Sequence, residues 1–251
     1  HSVSAPLDSF TLHGKMFMDE ADLRTFAGGA KAWGYTGNLW DTANTIRKIF
    51  AMTAVKNQAL HWFDLHPGEF AVPGIMKEIA ETAGIAKKSV VWPDRKGEVA
   101  VITSERSLAY CTEEALSYTR QAILHQWNGL FYRIGTPCDF YFLEDILQPD
   151  FPEYKMVVFL NAWVLDESLW KAGEKLKKNR AVLGWFHAPG VIRGNRMGPE
   201  NIRLLTGIQV EEASFPVRKV ALESTQEVPF LKNIQTVQSY LSGIRPMYYP
   251  A

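Results

Sequence analysis

Runs of strand length alternate with helical stripes along most of this chain, and that alternation restricts the fold more than any other feature. The runs are Met16 to Met18, Ala59 to Leu65, Glu98 to Ile102, Phe140 to Leu143, Met156 to Leu160 and Ala181 to Phe186. Between them, apolar residues recur at helical spacing at Ile46, Ile49, Phe50 and Ala54, and again at Ile75, Ile79 and Ala83. Further helices are predicted over Thr112 to Tyr132, Glu167 to Lys178 and Pro199 to Leu205. Parallel strands need a crossover between them, and helices supply it. The pattern therefore specifies α/β structure with parallel sheets.

Punctuation refines this reading. Asp41 or Thr42 is expected to cap the first long helix, Gly84 to stop the second, and Gly207 to stop the last. The segment Trp92-Pro-Asp-Arg-Lys-Gly97 interrupts the pattern, which then restarts. Three regions follow: 1–95, 96–210 and a less regular 211–251.

Composition excludes several partners. Lys plus Arg and Asp plus Glu are both 27 in 251 residues, so the chain lacks the basic footprint of a nucleic-acid binder. No apolar run approaches the ~20 residues that a membrane helix needs. The expected partner is therefore neither nucleic acid nor membrane. Cys111 and Cys138 match no metal spacing and read as buried thiols rather than a bridge. His61 and His66 lie five apart without a matched ligand set, so neither a metal nor a cofactor is expected. The chain begins at His1 with no visible signal peptide, and an upstream part is expected. No compartment is assigned.

The chemistry concentrates in His13 to Thr25. The run Met16-Phe-Met18 leads into Asp19, Glu20 and Asp22, with Arg24 next. A buried strand delivering acidic groups at its C-terminal end is how a (β/α) barrel presents catalytic residues. The second run carries Trp62 and Asp64 at its end. A retaining glycosidase needs two carboxylates about 5–5.5 Å apart. Glu20 beside Arg24 is expected to stay ionised, as a nucleophile must. Alternation along a strand prevents Asp19 and Glu20 from facing the same side. Trp62 is a candidate sugar platform, or else a packing residue. Asp64 either holds a hydroxyl or closes its loop. In the second region, Asn161-Ala-Trp163 and His187-Ala-Pro-Gly190 follow strands but hold no Ser or Cys for a nucleophile elbow. That region reads as non-catalytic.

Lys15-Met-Phe-Met-Asp-Glu20-Ala-Asp-Leu-Arg-Thr25 and His61-Trp-Phe-Asp-Leu65 resemble the seventh and eighth strand ends of glycoside hydrolase family 42-like β-galactosidases. Four further segments resemble the β-galactosidase trimerisation domain. They are Pro137-Cys-Asp-Phe-Tyr-Phe-Leu-Glu-Asp-Ile-Leu147, Tyr154-Lys-Met-Val-Val-Phe-Leu-Asn-Ala162, Gly184-Trp-Phe-His-Ala-Pro-Gly-Val-Ile192 and Glu200-Asn-Ile-Arg-Leu-Leu-Thr-Gly207. The resemblance implies the C-terminal portion of a (β/α)8 barrel, followed by a flavodoxin-like, glutamine amidotransferase-like parallel-sheet domain. It implies retaining hydrolysis of β-galactosides or related glycosides, and a homo-oligomer, specifically a trimer. Glu20 holds the place of the nucleophile, with Asp22, Arg24, Trp62 and Asp64 as expected substrate-binding residues. The acid/base glutamate belongs to a fourth strand that would lie ahead of His1, so the chain alone is expected to be inactive. Asp19 departs from the family, which usually has an apolar residue there. The competing reading is a non-catalytic oligomerisation module with a degenerate barrel remnant.

Overall fold

The computed structural model describes residues 5–28, 31, 34–89, 96–111, 126–213, 219–222, 238–241 and 248–250. It is a mixed α/β structure with parallel sheets, and the chain divides into two compact units, His1–Gly97 and Glu98–Ala251.

The first unit runs α1 (Leu7–Leu12), β1 (Met18–Asp22), α2 (Leu39–Ala54), β2 (Ala59–Phe63) and α3 (Pro73–Ser89). Strands β1 and β2 pair in parallel, from Met18 opposite Ala59 to Asp22 opposite Phe63. The strand begins at Met18, two residues later than the apolar run, and contains the acids rather than ending before them. Met16 and Met18 are 73% and 53% exposed, whereas Ala21 and Leu23 are buried. The helices cover only one face, and strand alternation puts Ala21 and Leu23 on it.

Helix α2 buries Ala43, Ile46 and Ile49. Ile46 joins Leu23, Phe70 and Ile75 in one apolar cluster. The cap is Asn38, not Asp41 or Thr42: the Asn38 side chain accepts the Asp41 backbone N–H at 2.9 Å. Such a cap contributes about 1 kcal/mol. Helix α3 passes through Gly84 and ends only at Ser89. A helical glycine costs about 1 kcal/mol, too little to stop a helix that α2 and the cluster already hold. Lys56, just beyond α2, donates to Asp8 of α1 at 2.9 Å.

The second unit contains β3 (Val99–Thr103), α4 (Glu105–Leu108), α5 (Gln126–Phe131), β4 (Cys138–Phe142), β5 (Met156–Phe159), α6 (Glu167–Lys178) and β6 (Val182–Trp185). It continues through β7 (Ile192–Arg193), β8 (Arg196–Met197), α7 (Pro199–Thr206), β9 (Val210–Glu212), β10 (Lys219–Leu222), β11 (Gln238–Leu241) and β12 (Tyr248–Pro250). The main sheet is parallel in the order β4-β3-β5-β6. Its central strands bury Ala100, Val101 and Ile102, then Val157, Val158 and Phe159. Near-continuous apolar runs of this kind belong to a sheet covered on both faces.

Asp166 caps α6 by accepting the Leu169 N–H at 2.9 Å. Gly207 ends α7 at φ +78°, a left-handed position that suits glycine. Most of the long helix expected over Thr112 to Tyr132 lies outside the described residues; Gln126–Phe131 is helical. Cys138 opens β4 instead of preceding it, and neither cysteine is in a disulfide. The region read as irregular holds two antiparallel pairs, β10 with β11 and β9 with β12. Among the described residues, no helix is long and apolar enough to cross a membrane.

Candidate functional site

In the first unit, β1 and β2 carry different chemistry on their two faces. Ala21 and Trp62 are register partners and share the helix side. There Trp62 meets Phe70 edge-on at 6.3 Å between ring centroids and packs on the apolar cluster. Glu20 and His61 are also register partners and share the other, exposed side. The His61 ring lies 6.4 Å from that of Phe63, two residues along the same face. The structure therefore does not bring Trp62 and Glu20 together. The packing alternative for Trp62 is the one observed, because its partner Ala21 is a buried position.

Arg24 bonds Asp22 and not Glu20. Its guanidinium makes a two-pronged ion pair with Asp22, with Nη2 donating to Oδ2 at 3.0 Å and Nη1 to Oδ1. Arg24 is buried, so this pairing offsets the cost of desolvating its charge. Asp19 faces away from Glu20, and burial pushes its carboxyl above the usual range. Asp64 is exposed and accepts the Glu69 backbone N–H at 3.3 Å, so it closes its own loop.

Glu69 is the residue that sequence reasoning missed. Its side chain has no exposed surface. The carboxylate accepts the Thr25 N–H, while the Thr25 hydroxyl donates to the Glu69 carbonyl. These bonds latch the loop after β1 to the loop after β2. A Cβ at Gly28 would overlap the Glu69 carboxylate, so the close approach needs glycine there. The other carboxylate oxygen, Oε1, has no partner among the described residues. In sequence, Pro67-Gly68-Glu69 reads as turn punctuation, and nothing in it marks a buried acid.

The second unit has its polar residues at the C-terminal ends of β3 and β5. The chain passes from β3 to β4 on one side and then returns to β5 on the other, so the strand order reverses between β3 and β5. Ligands of open α/β sheets bind at such a point. Here it is filled. Asn161 is fully buried and bridges to Ser104, accepting its N–H and donating to its carbonyl, both at 2.8 Å. Ser104 and Ser107 hydroxyls meet at 3.1 Å, and Ser107 Oγ accepts the Trp163 N–H at 3.1 Å. Among the described residues, neither hydroxyl is hydrogen-bonded to a His, Asp or Glu side chain. His187 stands edge-on to Trp163 with ring centroids 6.2 Å apart, and burial lowers its pKa to about 4. It is therefore a neutral ring at pH 7. Along β4, Tyr154 donates to Asp139 at 2.9 Å and accepts from Tyr141 at 2.8 Å. Burial foremost raises the Tyr154 pKa, so this chain of hydroxyls stays protonated.

Among the described residues, no cluster of His, Cys, Asp and Glu is arranged to hold a metal ion. Of the two regions, the Glu20 face is the one whose polar pair, Glu20 and His61, is exposed and makes no hydrogen bond or ion pair among the described residues.

No family model matches the sequence, and no curated protein matches it. Among solved structures, the chain is similar to a β-galactosidase from Bifidobacterium adolescentis, with a TM-score of 0.35 and 16% identity over 46% of this chain and 56% of that one. It is also similar to a catalytic mutant of Gan42B, a GH42 β-galactosidase from G. stearothermophilus. That match has a TM-score of 0.49 and 16% identity over 80% of this chain. The chain spans 56% and 31% of the lengths of these two proteins.

Proposed function

We propose that this chain is the C-terminal portion of a retaining glycoside hydrolase acting on β-galactosides or related glycosides. In this reading β1 and β2 are the last strands of a (β/α)8 barrel, and the unit from Glu98 onward holds a flavodoxin-like domain of trimerisation type. One observation carries it. Glu20 sits on the exposed face of a parallel β-α-β unit whose other face alone packs on helices. A barrel strand has this two-sidedness, with helices outside and the reacting groups inward. Glu20 is then the nucleophile. The Asp22–Arg24 pair and Asp64 shape the rim, and Trp62 supports it from behind.

Retention takes a second carboxylate about 5–5.5 Å from the first. The reading assigns that acid/base to an upstream strand, so the purified 251-residue chain should not turn over an aryl β-galactoside. Rapid turnover would refute the assignment. A positive test is the binding of a galactose-configured iminosugar, whose ammonium mimics the charge of the transition state. Binding should be lost in Glu20→Gln, where the charge is removed and the shape kept.

A second reading, assembly alone, draws on one edge of the second unit. Strand β6 is terminal in its sheet, and Val182 on it is 63% exposed opposite Met156 at 37%. An apolar edge of this kind is a pairing surface. Light scattering after size exclusion tests it: a monomer at high concentration counts against assembly.

A further inference from the structure

Most polar groups around the ends of β1 and β2 are already engaged. Asp22 is taken by Arg24, Asp64 by the Glu69 backbone, and Glu69 by Thr25. Trp62 is committed to the apolar cluster. His61 has no such employment. It stands in register with Glu20 on the same face of two hydrogen-bonded strands, whose backbones lie about 4.8 Å apart. Both side chains are exposed, and neither makes a hydrogen bond or ion pair among the described residues. Phe63 stands beside the imidazole on the same face. It limits where the ring can turn.

We propose that His61 is the second polar group of the Glu20 site, a substrate-binding residue that hydrogen-bonds a hydroxyl of the sugar ring held over this face. The inference rests on the glycosidase reading of Glu20. Its chemistry follows from the two side chains. A carboxylate only accepts hydrogen bonds, whereas a neutral imidazole donates through one nitrogen and accepts through the other. A sugar hydroxyl both donates and accepts, so adjacent hydroxyls can engage both side chains at once. His61 lies outside the helix-packed face, so its removal leaves the apolar cluster intact.

The experiment is a titration of the purified full chain with a galactose-configured iminosugar, followed by the proton signals of the His61 ring and by calorimetry. The expected result is a shift of the His61 signals in the wild type. His61→Ala should weaken binding about tenfold, the size of one hydrogen bond to a neutral hydroxyl. His61→Gln, which keeps a donor and an acceptor, should recover part of that loss. Thermal transitions of both variants should match the wild type, because the side chain is exposed. Wild-type affinity in His61→Ala, with binding lost in Glu20→Gln, overturns this inference and leaves the glycosidase reading standing. Absence of any Glu20-dependent binding overturns both. Loss of affinity accompanied by a lowered thermal transition also overturns it, since the role would then be structural.

Discussion

A side chain with no exposed surface has to satisfy its polar atoms inside the protein, and Asn161 does so with both ends of its amide on the Ser104 backbone. Removing it leaves a buried N–H and a buried carbonyl unpaired, at about 1–3 kcal/mol each. Asn161→Ala should therefore lower unfolding free energy by roughly 3 kcal/mol in a urea titration. An unchanged midpoint would show that the bridge is replaced by solvent. His187 makes a different kind of demand. Its pKa is about 4 in the folded chain and 6.5 in its absence. The unfolded chain thus binds the extra proton first. Stability is full above pH 6.5 and declines as pH falls toward 4, by at most about 3 kcal/mol. The decline should vanish in His187→Asn, read from thermal transitions between pH 7 and 4.

At the scale of elements, the ends of the helices are held by particular residues, and their interiors tolerate exceptions. Helix α3 carries Gly84 at an exposed position where an added Cβ meets nothing within 4 Å. Gly84→Ala should raise stability by about 1 kcal/mol, because alanine loses less backbone freedom on folding. At the start of α2, Asn38→Ala removes the bond to the Asp41 N–H and should cost about 1 kcal/mol. Equilibrium denaturation resolves both changes, which have opposite signs. The strands depend on their neighbours more heavily. Within β1 the acids lie in the strand because Ala21 and Leu23 find a helix layer to cover them, while Met16 and Met18 do not.

At the scale of the molecule, the two units differ in what each can support by itself. The second has a four-stranded parallel sheet with a buried centre. The first has two strands and their helices. A two-stranded sheet is marginal unless it packs on helices, and here α2 and α3 cover one face while the other stays exposed. Residues 98–251 expressed alone should melt in a cooperative transition. Residues 1–97 expressed alone should lose structure gradually, as followed by circular dichroism. A sharp, cooperative transition in the smaller piece would count against its being part of a larger barrel.

Much of the α/β order was readable from residue spacing. Helix α6 spans Glu167 to Lys178, as its amphipathic stripe requires, and Gly207 ends α7. These features are local: helical period and left-handed glycine depend on a few neighbouring residues. The facing of side chains was not readable. Alternation says that Glu20 and Ala21 point opposite ways, but which side the helices cover is decided by packing. That decision sent Trp62 to the cluster with Phe70, set His61 beside Glu20, and buried Glu69 against Thr25. Pairing of β1 with β2 joins residues some forty positions apart, and no short window of sequence contains both. The sequence by itself therefore determined which elements form and in what order. Only the tertiary structure decided which polar groups are consumed in holding the loops and which remain exposed, because burial is a property of the whole unit and not of the residue.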